Sequence, residues 1–155
     1  MSEFVLTPAE RVLLTALQEL GVPFLLVGMG AALIEGAHGT TQDLDLWLGP
    51  ADAAKLAEAA RRAGGFYTSG FGQHPPAIGG EGLDRVDLVL TAQGLRDFDA
   101  ELAGSHQYDL DGVKVMVLPL DRVIASKRAA NRVKDAAQLP LLEAALAARR
   151  ERDGS

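Results

Sequence analysis

The stretch that decides the fold is TQDLDLW, Thr41 to Trp47, where two aspartates interrupt what otherwise reads as the start of a buried strand. Alternation at period two sends Leu44, Leu46 and Leu48 to one face and Asp43, Asp45 and Trp47 to the other. Carboxylates two apart on a strand stand about 6.5–7 Å apart at Cα, near enough to repel one another and to share a cation. A solvated edge strand tolerates such a pair. A metal site gives it a reason.

Upstream, Phe24 to Val27 is a short apolar run that reads as a buried strand. It meets Gly28-Met29-Gly30, a glycine turn opening a short helix, where free backbone N–H groups and the helix dipole favour phosphate. The N-terminal Thr7-Pro8-Ala9-Glu10 is a capping box with proline at the first helical position, predicting a helix over Pro8 to Leu20 with Val12, Leu13, Leu17 and Leu20 as its apolar stripe. Downstream, Gly49-Pro50 closes the strand at 43–48, and ADAAKLAEAARRAG reads as a helix ended by Gly64-Gly65. Residues 69–83 hold five glycines and two prolines and read as a long loop. DRVDLVL, residues 84–90, is a third strand that repeats the peculiarity of the second, with Asp87 set between Val86 and Leu88.

LRDFDAEL reads as a helix, and HQYDLDGVKVMVL as a hairpin turned at Asp111-Gly112. DRVIASKRAANR and LLEAALAARRER are the last two helices, with Pro140 expected to separate them. The order α-β-α-β-α-loop-β-α-β-β-α-α implies a mixed sheet with flanking helices, in the α/β to α+β range.

A chain of 155 residues is expected to form a single domain. Without cysteine it has neither disulfides nor thiolate metal sites, which fits a reducing cytoplasm. No apolar run approaches the roughly 20 residues of a membrane span, so no membrane partner is expected. A net charge of −6 argues against general adhesion to nucleic acid. The charge is uneven: residues 121–155 hold eight Lys/Arg against five Asp/Glu, and residues 1–120 hold seven against sixteen.

If the strands at 43–48 and 85–90 pair, Asp87 reaches Asp43 and Asp45. Three clustered carboxylates repel one another, and a divalent cation removes that repulsion. Oxygen-only ligands favour Mg2+ or Mn2+ over zinc. His38, His74 and His106 show no metal-ligand spacing. Trp47 either stacks on a base or packs against a helix.

With these motifs in register, LLVGMGAALIEGAHGTTQDLDLWL, RVDLVL and LPLDRVIASKRAANRVKDAAQLPLLE resemble the polymerase-β-like nucleotidyltransferase superfamily, in its small stand-alone bacterial branch associated with toxin–antitoxin pairs. The resemblance covers most of residues 22–144. It implies one nucleotidyltransferase-like domain over 1–155, with its core at about 22–118 and C-terminal helices at about 119–150. It also implies Asp43, Asp45 and Asp87 as catalytic metal ligands, with Asp87 also placed to act as general base, and Gly28-Met29 as the triphosphate turn. The implied reaction moves a nucleoside monophosphate from an NTP such as ATP to an acceptor hydroxyl (on a protein, tRNA or small molecule) and releases pyrophosphate. A cognate toxin or antitoxin is an implied partner, and a catalytically weak, antitoxin-like binding module remains the alternative.

Two positions depart from the family pattern. Met29 stands where glycine or serine is usual, and Gly39 where an arginine often precedes the Asp-x-Asp. Phosphate charge must then come from elsewhere. On the helix expected from about Leu120 to Arg132, Lys127, Asn131 and Lys134 recur at i, i+4 and i+7 on one face, and Lys127 is assigned to the triphosphate. The competing reading is a solvated face with Arg128 or Arg132 paired to Asp135.

Overall fold

A computed structural model describes residues 4–90 and 92–154. Helix α1 spans Pro8–Glu19, and its capping box forms as the sequence requires: Glu10 N donates to Thr7 Oγ1 and Thr7 N to Glu10 Oε1. Leu13, Leu14 and Leu17 are fully buried in the core, each contributing on the order of 2 kcal/mol, whereas Val12 lies 43% exposed, outside that stripe. Strand β1 (Phe24–Val27) leads straight into α2 (Gly28–Ile34), and β2 (Leu44–Leu48) is followed by α3 (Ala53–Arg62). Strand β5 (Val86–Val89), α4 (Phe98–Ala103) and the hairpin β6 (His106–Leu110)–β7 (Val113–Val117) complete the core. Asp111 and Gly112 both take positive φ, as a tight hairpin turn of this kind demands.

The five-stranded sheet runs in the order β5-β2-β1-β7-β6. Strand β1 is antiparallel to β2 and parallel to β7, and β2 is parallel to β5. Leu44 and Leu46 point into the core as the alternation predicts. Trp47 on the opposite face is buried edge-on against Phe98 of α4, with ring centroids 5.4 Å apart, and so packs in the interior.

Two expectations are corrected. The stretch 69–83 is not wholly loop: Ala77–Gly79 forms β4, antiparallel to β3 (Phe66–Thr68), in a separate two-stranded sheet. Strands of three residues are too short to show a period, so the glycine content dominated the reading. Pro140 does not separate the last helices either. Helix α5 (Leu120–Ala130) ends where Asn131 enters the left-handed region (φ 51°), and α6 runs unbroken from Val133 to Asp153 with the exposed Pro140 inside it. The break is set by a cap instead: Arg132 N donates to Asp135 Oδ2 at 3.1 Å.

A buried carboxylate ties the end of α6 to the sheet. Glu35 accepts from Leu120 N (2.9 Å), His106 Nδ1 (2.9 Å) and the Tyr108 hydroxyl, and Arg149 of α6 lies 3.2 Å away. No helix among the described residues is long and apolar enough to cross a membrane.

Candidate functional site

The register of the parallel pair β2–β5 places Asp45 directly beside Asp87. Neighbouring strands lie about 4.8 Å apart, so the two carboxyl groups emerge side by side, within hydrogen-bond reach of each other. Asp43 precedes β2 by one residue. Its backbone N donates to Thr41 Oγ1 (3.1 Å), a local turn, and its side chain lines the same cavity as Asp45.

Gly28 lies behind this pair. Its φ is +69°, and a Cβ there would sit 2.1 Å from Asp45 Oδ2. The position therefore demands glycine twice, for backbone conformation and for the approach of the carboxylate. Helix α2 starts at Gly28 with no side-chain cap, so its first N–H groups are left to other acceptors. Met29 is buried, its methyl facing Gly39, and is part of the core as well as of the turn.

These groups line one cavity of about 420 Å3. Asp43, Asp45 and Asp87 form its acidic side, and Lys127, Arg132 and Lys134 its basic side. Burial, and then the charges of Asp87 and Asp43, push the Asp45 carboxyl up to about 7. Lys127 is close enough to Asp45 to oppose that shift, though weakly. The site thus holds anionic groups short of positive charge.

The basic side differs from the sequence expectation. Lys127 does not share a solvated helix face with Asn131 and Lys134, because the helix ends between them. Lys127 is buried, with Nζ 2.8 Å from Gln138 Oε1 and 3.5 Å from Asp135 Oδ1. Burial pulls its ammonium below the ordinary lysine range, with Asp135 opposing. Burial alone would raise the fully buried Asp135, but hydrogen bonds from the Arg132 side chain and backbone hold it below the usual range. The pairing of Arg132 with Asp135 is one the sequence allowed, while Arg128 pairs outside the cavity with Glu143. Arg132 and Lys127 therefore share one acid, an excess of one positive charge facing the aspartates. Gln93, Ser126 and Gln138 also line the cavity and carry no sequence signal, since neutral polar residues on a helix or loop are read as surface.

Among the described residues, no three His, Cys, Asp or Glu side chains are gathered into a ready metal cage. The donor chemistry nonetheless fits a hard divalent cation. Mg2+ is commonly held by only one or two carboxylates and completed by substrate phosphates, and the Asp45–Asp87 pair offers that much.

No known family model matches the sequence, and no curated protein sequence matches it. Among solved structures the chain is similar to the solution structure of the antibiotic-resistance factor ANT(2'')-Ia, at 15% identity. The superposition covers 94% of this chain and 91% of that one, with a TM-score of 0.55. ANT(2'')-Ia is a nucleotidyltransferase; at this identity the likeness shows the fold alone, and the five-stranded mixed sheet with flanking helices of this chain is nucleotidyltransferase-like.

Proposed function

We propose that the protein is a metal-dependent nucleotidyltransferase that moves a nucleoside monophosphate from an NTP to an acceptor hydroxyl. The observation that carries this reading is the single cavity in which a glycine turn, the Asp45–Asp87 pair and a basic wall converge. The nucleotidyltransferase-like fold supports it.

In this reading the backbone N–H groups at Gly28-Met29 and the cations Arg132, Lys127 and Lys134 bind and orient the triphosphate. The acceptor oxygen bonds to the α-phosphorus in line with the bond to the β-phosphate, which breaks to release pyrophosphate. Asp87 takes the hydroxyl proton. Asp45 and Asp87, with the charge of Asp43 beside them, would hold Mg2+ or Mn2+, which would supply charge neutralisation at the phosphate oxygens. Carboxylates left to themselves repel a triphosphate, so the basic wall and the cation are both needed.

A second reading follows from the engagement of Lys127 with Asp135 and Gln138 and from the open arrangement of the aspartates. In it the chain is an antitoxin-like module that binds a cognate partner or a nucleotide without chemistry. Incubation with Mg2+, labelled NTPs and pooled cellular RNA and protein separates the two. The transferase reading expects labelled product and pyrophosphate from wild type and none from Asp87→Asn. Nucleotide binding that is equal in Mg2+ and in excess EDTA, with no label transferred, favours the module.

A further inference from the structure

Three helices each reach the cavity by one end, and their other ends meet at a single buried carboxylate. Gly28 and Met29 at the start of α2, Ser126 and Lys127 near the end of α5, and Lys134 and Gln138 at the start of α6 all line the cavity. At the far ends, Glu35 closes α2, Leu120 opens α5 and Arg149 lies near the end of α6. Glu35 Oε1 accepts from Leu120 N at 2.9 Å and lies 3.2 Å from Arg149 Nη1, which also donates to the Glu35 backbone carbonyl at 2.8 Å. Glu35 Oε2 takes the hydrogen bonds of His106 Nδ1 and the Tyr108 hydroxyl from β6.

Helix α5 begins behind Pro119 with no side-chain cap of its own, so its first N–H depends on Glu35. Burial alone would raise the Glu35 carboxyl, but the bonds from Tyr108, His106 and Leu120 N hold it below the usual range. It therefore stays charged against the positive end of α5 and the Arg149 guanidinium. Along α2 to Gly28, and along α5 to Lys127, the junction lies about 10 Å from the cavity at a rise of about 1.5 Å per residue. Helices are stiff over that length, so a displacement at the junction is carried to the cavity wall.

We propose that Glu35 is a positioning residue for the triphosphate: by joining α2, α5 and α6 at one end, it fixes the separation of the cavity walls at the other. Glu35 itself does not line the cavity and acts only through the helices. Walls already held at the right spacing lose less freedom when phosphate binds. The inference rests on the nucleotidyltransferase reading and adds to it a residue that acts from outside the site.

Calorimetry in Mg2+ tests it, with the α,β-methylene analogues of ATP, GTP, CTP and UTP; the tightest binder to wild type is the probe. Measurements run well below the melting temperature of each variant, with the fold checked by circular dichroism. Glu35→Leu should raise the dissociation constant of the probe about tenfold, the scale of coupling carried through packed helices. Glu35→Gln keeps an acceptor for Leu120 N but not the charge facing Arg149, and should recover part of that loss. Amide exchange at Ala32 and Lys127 should quicken in the same order, while Leu46 in β2 keeps its protection. A Glu35→Leu protein that melts lower yet binds the probe as wild type does makes Glu35 structural only; it overturns the inference and leaves the transferase reading standing. If Glu35→Leu does not fold, Tyr108→Phe and Arg149→Gln decide, since each removes one donor: weaker binding in either supports the inference and unchanged affinity in both overturns it. Failure of all four analogues to bind wild type removes the transferase reading itself, and the inference with it.

Discussion

Replacing Asp45 by Asn tests whether the carboxylate pair is a charged site waiting for a cation or an ordinary piece of strand. Asp45 is held at about 7 against 3.8 for an unperturbed aspartate. Each tenfold change in proton affinity corresponds to about 1.4 kcal/mol, so the ionised carboxylate carries a folding penalty with an upper bound on the order of 4 kcal/mol. Water reaches part of the side chain and the chain relaxes around it, which leaves about 2 kcal/mol as the working figure. Because the folded-state value is raised, the protonated group's contribution is fully present below about 4 and is lost as pH rises toward 7. Asn cannot ionise and escapes that loss.

The metal-free mutant should therefore melt with wild type near pH 4 and gain steadily up to pH 7. At pH 8 it should melt about 4–8 °C higher, at 2–4 °C per kcal/mol for a chain of this size. Adding Mg2+ and NTP should shrink or reverse the difference, since ligand stabilises only the intact site. Scanning calorimetry at pH 4, 6 and 8, with and without Mg2+ and NTP, reads all of this. Two proteins that melt together at pH 8, or a mutant that melts lower at every pH, would refute the like-charge account and assign Asp45 a structural hydrogen-bonding role.

Gly28→Ala should displace the Asp45 carboxylate and destabilise the fold by about 1–3 kcal/mol through a strained backbone, with NTP binding lost in calorimetry; unchanged binding would reduce the turn to a connection. Met29→Ser removes a buried side chain and should cost about 2 kcal/mol in urea unfolding, so any gain of a phosphate-binding hydroxyl must be read against that loss. Lys127→Met, which keeps the buried stem, should cost about 2 kcal/mol by leaving Asp135 to Arg132 alone and should raise the NTP dissociation constant; an unchanged constant leaves the phosphate to Arg132 and Lys134. Glu35→Gln should loosen the end of α6 from the sheet, read as faster amide exchange around Arg149 and a loss of about 2 kcal/mol.

What the sequence determined was local or periodic. The Thr7–Glu10 capping box, the Asp111-Gly112 turn and the leucine alternation of β2 each depend on residues a few positions apart, and each forms as read. The peculiarity of acids set in apolar strands was legible for the same reason. A buried alternation leaves no other place for Asp43, Asp45 and Asp87, and strand register then brings Asp45 and Asp87 together. Tertiary structure decided the partners. Nothing within a few residues of Lys127 says that it will be buried against Gln138 and Asp135, because that depends on how α6 folds back along α5. The left-handed turn at Asn131 sets that return, and it ended a helix that side-chain periodicity alone would have carried through. Glu35, at the C-terminal end of α2, has a buried carboxylate that draws together β6, α5 and α6 across more than seventy residues of chain, a set of partners no local pattern announces. Short-range propensity selects elements. The choice of partner for a buried charge is made only when desolvation forces each one to find a counterion, and that pairing exists only in the folded chain.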